Sequence, residues 1–274
     1  MTFPTQQPAL LLDFCNSKQL DPRISFSRNS AATYFDSSGL IKEAPANTAR
    51  FDHDPVTGES LGLLIEEERT NLFTYSEQFD QSTWTKEKVS LTPNAAIAPD
   101  GTTTAEEVLA TGSGRHRISK QVIGSAGYVF SAFVKSNGTS HISIKCSGLD
   151  VATEFDIVNG TIARSAPNGG LTNPFVIPLA NEWYRIGGTV SVSNNWLIGS
   201  SDGTSAYGAT ADINYTAQPG DAYYLWAAQL EEGSFPTSYI PTTGSTVTRA
   251  VDIALIDGVS FSSCLLYTSD AADE

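Results

Sequence analysis

The stretch YVFSAFVKSNGTSHISIKC, residues 128–146, decides the fold class. Its first part, residues 128–135, is largely apolar on both alternating faces, which is typical of a strand inside a sheet covered on both sides. Its last part alternates strictly, with Ile142, Ile144 and Cys146 pointing one way and polar residues the other. The two patterns predict a fully buried strand followed by a half-exposed antiparallel strand.

The segments around this stretch repeat the same pattern between turn signals. Asn159-Gly160 is a strong two-residue hairpin signal, and a second turn lies at residues 36–39. Further strands are predicted at residues 183–186, 189–192, 196–198 and 222–230. The 22 glycines and 13 prolines interrupt the chain too often for long helices, so helical turns are expected only near residues 76–79 and 105–108. This pattern predicts an all-β protein, an antiparallel β-sandwich of the jelly-roll type.

Changes in pattern along the chain predict four regions. Residues 1–74 form a small β-rich unit with a limited core, and residues 75–245 form the jelly roll. Residues 246–263 are expected to open a further β domain, because a new alternating segment begins at Ile253. Residues 264–274, CLLYTSDAADE, match the translation of a transposon-type sequencing adapter, so we expect them to lie outside the fold and the natural chain to continue past Ser263.

The composition excludes several classes of function. A net charge of −14 and a pI near 4.5 oppose binding to nucleic acid, which requires clustered basic residues. No apolar run approaches the length of a membrane span, and no signal peptide is expected. The cysteines Cys15, Cys146 and Cys264 have neither zinc spacing nor a disulfide framework, which fits assembly in a reducing cytoplasm. Cys15 and Cys146 are predicted to be small buried hydrophobic residues.

Catalytic signals are weak. The three histidines, His53, His116 and His141, show no metal-ligand spacing, and no nucleophile elbow, phosphate loop or dinucleotide motif occurs. Asp52-His53-Asp54 could hold a metal ion, but the proline and glycine that follow favour a turn. Adjacent glutamates point to opposite faces of a strand, so they predict no glycosidase pair. The chain is predicted not to be an enzyme.

Sugar recognition needs aromatic planes beside polar groups, because sugars present both C–H faces and hydroxyls. The candidate glycan-binding residues are Trp84, Arg115, His116, Trp196, Tyr207 and Tyr215. Trp183, Tyr224 and Trp226 are predicted to be core residues, since their strands are apolar on both faces. The loop carboxylates Asp100 and Asp221 are the candidate ligands of a structural calcium ion. No other cofactor is expected.

Three strings resemble a family of phage tail-fibre and minor structural proteins. They are LDFCNSKQLDPRISFSRNSAATYFDSSG (residues 12–39), ARFDHDPVTGESLGLLIEEERTNLFTYSEQFDQSTW (49–84) and YLWAAQLEEGSFPTSYIPTTGSTVTRAVD (224–252). The strings APDGTTTAEEVLA (98–110) and YVFSAFVKS (128–136) resemble, more generally, jelly-roll carbohydrate-binding and galactose-binding modules. From its residues alone, the first string offers a tight turn, and the second offers a local ion pair between Arg69 and the glutamates before it.

The resemblance implies a structural and adhesion module of a phage tail fibre or virion-surface protein. Its implied partners are a host-surface polysaccharide or glycan and other virion proteins, it implies a homotrimer, and it places the protein in the virion after assembly in the host cytoplasm. One alternative is the non-catalytic part of a polysaccharide depolymerase fibre whose enzyme domain lies downstream. Another is a carbohydrate-binding module of a secreted bacterial enzyme.

Overall fold

The computed structural model describes residues 12–124, 127–146, 152–165, 170–190, 193–204 and 214–256. Almost every regular element among them is a β-strand, and all strand pairs between the named strands are antiparallel, so the predicted all-β class is confirmed. No helix in these ranges is long and apolar enough to cross a membrane.

The described strands and the short helices follow one another in three groups along the chain. The first group is α1 (Phe14–Ser17), β1 (Ile24–Ser27), β2 (Ala32–Phe35), β3 (Ile41–Ala44), β4 (Arg50–His53), β5 (Ser60–Leu64) and β6 (Arg69–Asn71). The second is β7 (Thr85–Glu87), β8 (Val89–Ala96), β9 (Ala105–Ala110), β10 (Ser113–Gly114), β11 (Arg117–Gly124), β12 (Tyr128–Asn137), β13 (His141–Cys146), β14 (Thr153–Asp156), β15 (Thr161–Arg164), β16 (Thr172–Pro178), a 3-10 turn (Ala180–Glu182), β17 (Tyr184–Val190), β18 (Ser193–Ser201), β19 (Tyr215–Thr216) and β20 (Ala222–Glu232). The last is β21 (Val247–Arg249) and β22 (Ile253–Ile256).

Two six-stranded sheets form the sandwich. The first sheet has the order β15-β14-β13-β18-β11-β7, and the second has the order β16-β17-β12-β20-β9-β8. The β12 strand lies inside the second sheet and is buried on both faces over Tyr128–Val134, as predicted. The β13 strand alternates half-buried and buried residues, so its predicted half-exposed character is also confirmed. This arrangement confirms the predicted two-sheet sandwich.

Aromatic rings fill the space between the sheets. Phe130 of the second sheet stacks on Trp196 of the first, with ring centroids 5.4 Å apart and an interplanar angle of 12°. Trp84 contacts Phe73 and Phe79 edge-on, at 5.2 and 5.0 Å. Offset and edge-on pairs of this kind stabilise a core beyond the area that they bury.

The N-terminal elements pack on the outer face of the second sheet. Phe133 and Trp226 from that face contact each other and Tyr239, and Ile41 of β3 joins the cluster. The sequence predicted that residue 253 opens a further domain, but the partner of β22 in the structure is β1, with Ile24 opposite Ile256. Residues 247–249 and 253–256 thus pair with strands of the N-terminal unit.

A buried cluster of charged residues ties these elements together. Arg50 donates to Glu66 at 2.8 Å and to Asp252 at 2.5 Å, and Arg28 donates to the other oxygen of Asp252 at 3.0 Å. Arg249 lies 3.1 Å from Glu66. The side chains of Arg28, Arg50 and Asp252 have no exposed surface, so each charge depends on its partners. We call these five residues the arginine cluster.

Several local predictions need correction. Residues 105–108 are predicted as a helical turn but lie in β9, which pairs with both β8 and β20, so sheet pairing outweighs local helix propensity. Residues 183–192 are predicted as two strands, whereas β17 continues through Gly187 and Gly188. Cys15 is exposed, and only Cys146 is buried as predicted. Cys264 and residues 257–274 lie outside the described residues.

Candidate functional site

The two predicted glycan-binding tryptophans do not reach the surface. Trp84 and Trp196 are 2% and 1% exposed and belong to the core between the sheets. The indole nitrogen of Trp84 donates to the carbonyl of Tyr75 at 3.0 Å, which satisfies its polar atom. The prediction of sugar contact is therefore wrong for both rings, because each indole points into the core between the sheets.

The predicted Arg115-His116 pair serves a structural role in the first sheet. Arg115 and Arg117 both donate to the carboxylate of Glu87, at 3.0 and 2.8 Å. His116 is 2% exposed, with its Nε2 atom 3.2 Å from the carbonyl of Gly112 and its ring 4.5 Å from that of Tyr215. The imidazole is therefore a packed side chain, and the prediction of His116 as a glycan-binding residue is wrong.

Tyr215 lines a small polar pocket at one end of the sandwich. Its hydroxyl donates to Ser200 Oγ at 3.0 Å, and burial raises the pKa of the phenol, which keeps it protonated. The pocket has a volume of about 270 Å³, and Asp202, Gln218 and Asp221 are among its lining residues. Tyr207, the remaining aromatic candidate, lies outside the described residues. We call this space the Tyr215 pocket.

The two calcium candidates are separated by the length of β9. Asp100 Oδ1 accepts hydrogen bonds from the backbone and hydroxyl of Thr102, in the turn before β9. Asp221 accepts from the backbone of Gln218, and its own carbonyl bonds to Ala110 at the far end of β9. A six-residue strand spans roughly 16 Å, so the two carboxylates cannot share one ion. No group of three potential metal ligands occurs in the described ranges.

Asp52 and His53 end strand β4, and Asp54 opens the turn that the following proline and glycine favour. Asp54 Oδ1 accepts hydrogen bonds from the backbone of Val56 and Thr57, at 2.9 and 2.8 Å. Asp52 instead bonds to the backbone nitrogen of Phe35. The carboxylates are thus used to hold hairpins.

A larger cleft opens on the outer face of the second sheet, beside the N-terminal unit. Its volume is about 430 Å³. It is lined by Gly39, Leu40, Ala96, Ile97, Ala98, Pro99, Lys135, Leu179, Ala180, Asn181, Trp183 and Tyr224. We call it the Tyr224 cleft. Its lining combines apolar walls with one phenol, one amide and one ammonium group.

Strand register sets the position of Tyr224. On β20 it lies opposite Lys135 of β12 on one side and Glu107 of β9 on the other. One step further along the sheet, Phe133 and Trp226 are covered by the N-terminal unit. Tyr224 is an aromatic residue of intermediate exposure at the border of that cover.

Polar side chains near the ring are held by neighbours. Lys135 Nζ donates to the carbonyl of Asn181 at 2.9 Å and lies 3.5 Å from a carboxylate oxygen of Glu182. Glu107 accepts a hydrogen bond from Asn137 Nδ2 at 2.7 Å. Such fixed acceptors beside an aromatic plane suit a ligand with both hydroxyls and apolar C–H faces.

The sequence analysis missed Tyr224 as a surface residue. A β-bulge explains why: Ala227 has a positive φ of 53°, and the pairing of β20 with β12 shifts register there. Tyr224 and Trp226 therefore face outward, while Ala228 and Leu230 face the core. The polar end of β12, beginning at Lys135, was the available signal that this part of the sheet meets solvent.

Buried groups with shifted pKa values lie away from this cleft. Burial and the charge of Asp80 raise the pKa of Glu106 to about 7, and burial lowers that of Lys120 to about 8. Glu106 accepts from the backbone of Asp80, and Lys120 donates to Thr74 and Thr83. Neither lines the Tyr224 cleft or the Tyr215 pocket.

Fold and site together define a two-sheet antiparallel β-sandwich with an open aromatic cleft at its junction with an N-terminal β unit. Searches of family models and of curated proteins give no match to the chain.

Three solved structures show distant similarity. One is the structure of the CBM22-1 and GH10 modules of Clostridium thermocellum xylanase 10B complexed with xylohexaose. It has a TM-score of 0.36 and 14% sequence identity, and the match covers 64% of this chain and 30% of that chain. Another is the CBM22-1 xylan-binding domain of Paenibacillus barcinonensis Xyn10C, with a TM-score of 0.30 and 13% sequence identity. The match covers 61% of this chain and 94% of that chain. The third is the enzymatically active domain of bacteriophage CBA120 tailspike protein 4, with a TM-score of 0.22 and 13% sequence identity. The match covers 68% of this chain and 21% of that chain. The chain thus spans less than a third of the first and third structures.

Proposed function

We propose that this chain is a non-catalytic structural and adhesion module of a phage tail fibre or related virion-surface protein, and that it holds a host-surface glycan in the Tyr224 cleft. The observation that carries the proposal is the half-exposed Tyr224 ring between Lys135 and Glu107, inside a cleft of about 430 Å³. That volume lies within the range of about 300–1,000 Å³ found for ligand sites. The Tyr215 pocket, at about 270 Å³, lies just below it.

The chemistry of the cleft matches a sugar. The phenol plane offers a stacking surface for the C–H face of a pyranose or furanose ring. Asn181 lines the cleft and Glu107 lies across the strand pair from the ring, so their amide and carboxylate groups can bond to sugar hydroxyls on either side. Because the cleft is open to solvent, it suits a chain of sugars better than a small enclosed metabolite.

The proposal assigns no catalysis to this cleft. A glycosidase acid needs a pKa raised by burial, opposite a second carboxylate. The Glu182 side chain is 86% exposed, so it is not the buried acid that such a mechanism needs. Glu106, whose pKa is raised to about 7, lies between the sheets and away from the cleft.

The virion assignment rests on the three strings that resemble phage tail-fibre proteins. Their residues meet in space: Arg28 of the first string, Arg50 and Glu66 of the second, and Arg249 and Asp252 of the third build the arginine cluster. The resemblance thus falls on residues that join the N-terminal unit to the segment that follows β20. We further propose that the module assembles with other virion proteins as a homotrimer in the host cytoplasm.

A glycan array followed by affinity electrophoresis tests this function. The full chain should bind at least one polysaccharide, and Tyr224→Ala should weaken that binding at least about tenfold through loss of the stacking plane. Tyr224→Phe keeps the ring and should retain most of the affinity. Tyr215→Ala, in the other pocket, is the matched control and should bind like the parent chain. Equal binding by the Tyr224→Ala variant and the parent would refute the site.

A further inference from the structure

We propose that the Tyr224 cleft selects uncharged glycans over glycans that carry carboxylates, because Glu107 lies directly across the strand pair from the ring and the one ammonium group of the described lining, that of Lys135, is already engaged by Asn181 and Glu182. This inference rests on the proposed function, since it names the chemical class of the ligand at the same site. It follows from the charges around the ring.

Acidic groups outnumber basic groups beside Tyr224. Glu107 lies directly across the strand pair from it, and Glu182 lies at the cleft rim next to Asn181. Lys135 is the one basic side chain among the described lining residues. Glu107 has no basic side chain within 4 Å in the described ranges, so its negative charge is balanced only by the amide of Asn137 and, weakly, by a hydroxyl.

Lys135 is poorly placed to capture an anionic sugar. Its ammonium donates to the carbonyl of Asn181 at 2.9 Å and lies 3.5 Å from Glu182. A sugar carboxylate would have to displace Glu182 from this neighbourhood while facing Glu107 across the ring. Tight carboxylate sites use unopposed or bidentate cations, which the described lining does not provide.

The charge of the whole chain acts in the same direction. With a net charge of −14, the chain repels an anionic polymer before contact, whereas an uncharged polymer experiences no such force. Sugar hydroxyls, in contrast, can donate directly to Glu107, and hydrogen bonds to a charged acceptor are stronger than neutral ones. The same carboxylate therefore favours neutral sugars and disfavours acidic sugars.

Matched oligosaccharide pairs test the selectivity. Manno- and mannuronate oligomers, gluco- and glucuronate oligomers, and galacto- and galacturonate oligomers of equal length differ chiefly in a carboxylate that replaces a hydroxymethyl group. For a pair whose neutral member binds the full chain, we expect the uronate to bind at least about tenfold more weakly at about 0.02 M NaCl. At about 0.5 M NaCl the difference should narrow, because salt screens the repulsion.

Two variants identify the groups responsible. Glu107→Gln keeps an acceptor for Asn137 but removes the charge, so uronate binding should rise about threefold for a charge about 6 Å away in water. Lys135→Gln should leave the order of neutral over acidic unchanged. Each variant is compared with the parent for far-ultraviolet circular dichroism and thermal midpoint, so that a folding defect is recognised separately.

The outcomes separate this inference from the proposed function. Uronates that bind as tightly as their neutral partners, and that lose binding in Lys135→Gln, would overturn the selectivity and leave the glycan site standing. If the full chain binds neither a glycan on the array nor a member of any pair, or if Tyr224→Ala has no effect on binding, the proposed function fails and the inference fails with it. Tighter binding of the neutral oligosaccharide than of its uronate partner, with uronate binding increased by Glu107→Gln, supports both the selectivity and the proposed function.

Discussion

Replacing Glu106 by Gln should stabilise the protein at neutral and alkaline pH. Glu106 is 2% exposed, and one of its oxygens, Oε2, has no hydrogen-bond partner among the described residues. Its other oxygen accepts from the backbone of Asp80 at 3.4 Å, and the Asp80 charge adds repulsion. A glutamine keeps this acceptor, carries no charge and can donate to Asp80 with its amide nitrogen.

The pKa of Glu106 sets the size and the pH range of the effect. Burial, and then the charge of Asp80, raise this pKa from 4.5 to about 7, so the folded protein binds the proton more tightly than the unfolded chain. The ionisation penalty is absent below about pH 4.5, grows as the pH rises, and is complete above about pH 7. At 1.36 kcal/mol per pH unit it reaches about 3 kcal/mol, which the glutamine variant avoids.

Urea unfolding of both proteins between about pH 4 and pH 9 measures this effect. The difference in free energy of unfolding should be near zero at about pH 4.5 and rise to about 3 kcal/mol in favour of the variant at about pH 8. Other titrating groups, including Asp52 and Glu77 with raised pKa values, remain in both proteins and cancel in the comparison. A pH-independent difference, or a variant less stable than the parent at pH 8, would show that the charge on Glu106 is not destabilising.

Two further changes test packing and the arginine cluster. Asp252→Asn should lower the free energy of unfolding by about 3–5 kcal/mol, since it leaves Arg28 and Arg50 short of a partner. The control Asp221→Asn, in an exposed turn, should lower it by less than about 1 kcal/mol. Similar losses in the two variants would argue against a stabilising role for the arginine cluster. Gly138→Ala should lower the midpoint of thermal unfolding several-fold more than Gly220→Ala. Both glycines have a positive φ, but only at Gly138 would a Cβ meet the backbone, 2.0 Å from a carbonyl oxygen.

The fold class could be predicted because it depends on local patterns. Alternation identifies β13, and the apolar run of residues 128–134 identifies β12, without knowledge of their partners. The pairing of β22 with β1 could not be predicted in this way, since its partner lies more than 220 residues earlier in the chain. Alternation in Ile253–Ile256 indicates a strand, but it carries no information about the sheet that the strand joins.

The site was harder to predict than the fold because exposure depends on what covers each face. Trp196 has polar neighbours in sequence, yet its own position points between the sheets. Tyr224 lies in an apolar strand, yet the N-terminal unit ends just short of it and leaves the ring half exposed. The residues around a side chain in sequence predict whether it lies in a strand. Whether that side chain reaches a ligand depends on which other element of the fold covers it.

The Tyr224 cleft belongs to both parts of the protein, and this determines how it must be studied. Gly39, at the tip of the β2–β3 hairpin, has φ of +73°, and a Cβ there would lie 2.3 Å from the carbonyl oxygen of Pro55 and 3.5 Å from Ala180. The hairpin tip is thus held between its own unit and the 3-10 turn of the sandwich, where it forms one wall of the cleft. A fragment of residues 75–245 would lose this wall and uncover the apolar face around Trp226. Weak glycan binding by that fragment would therefore reflect a missing wall rather than a missing function, and only the full chain can decide the question.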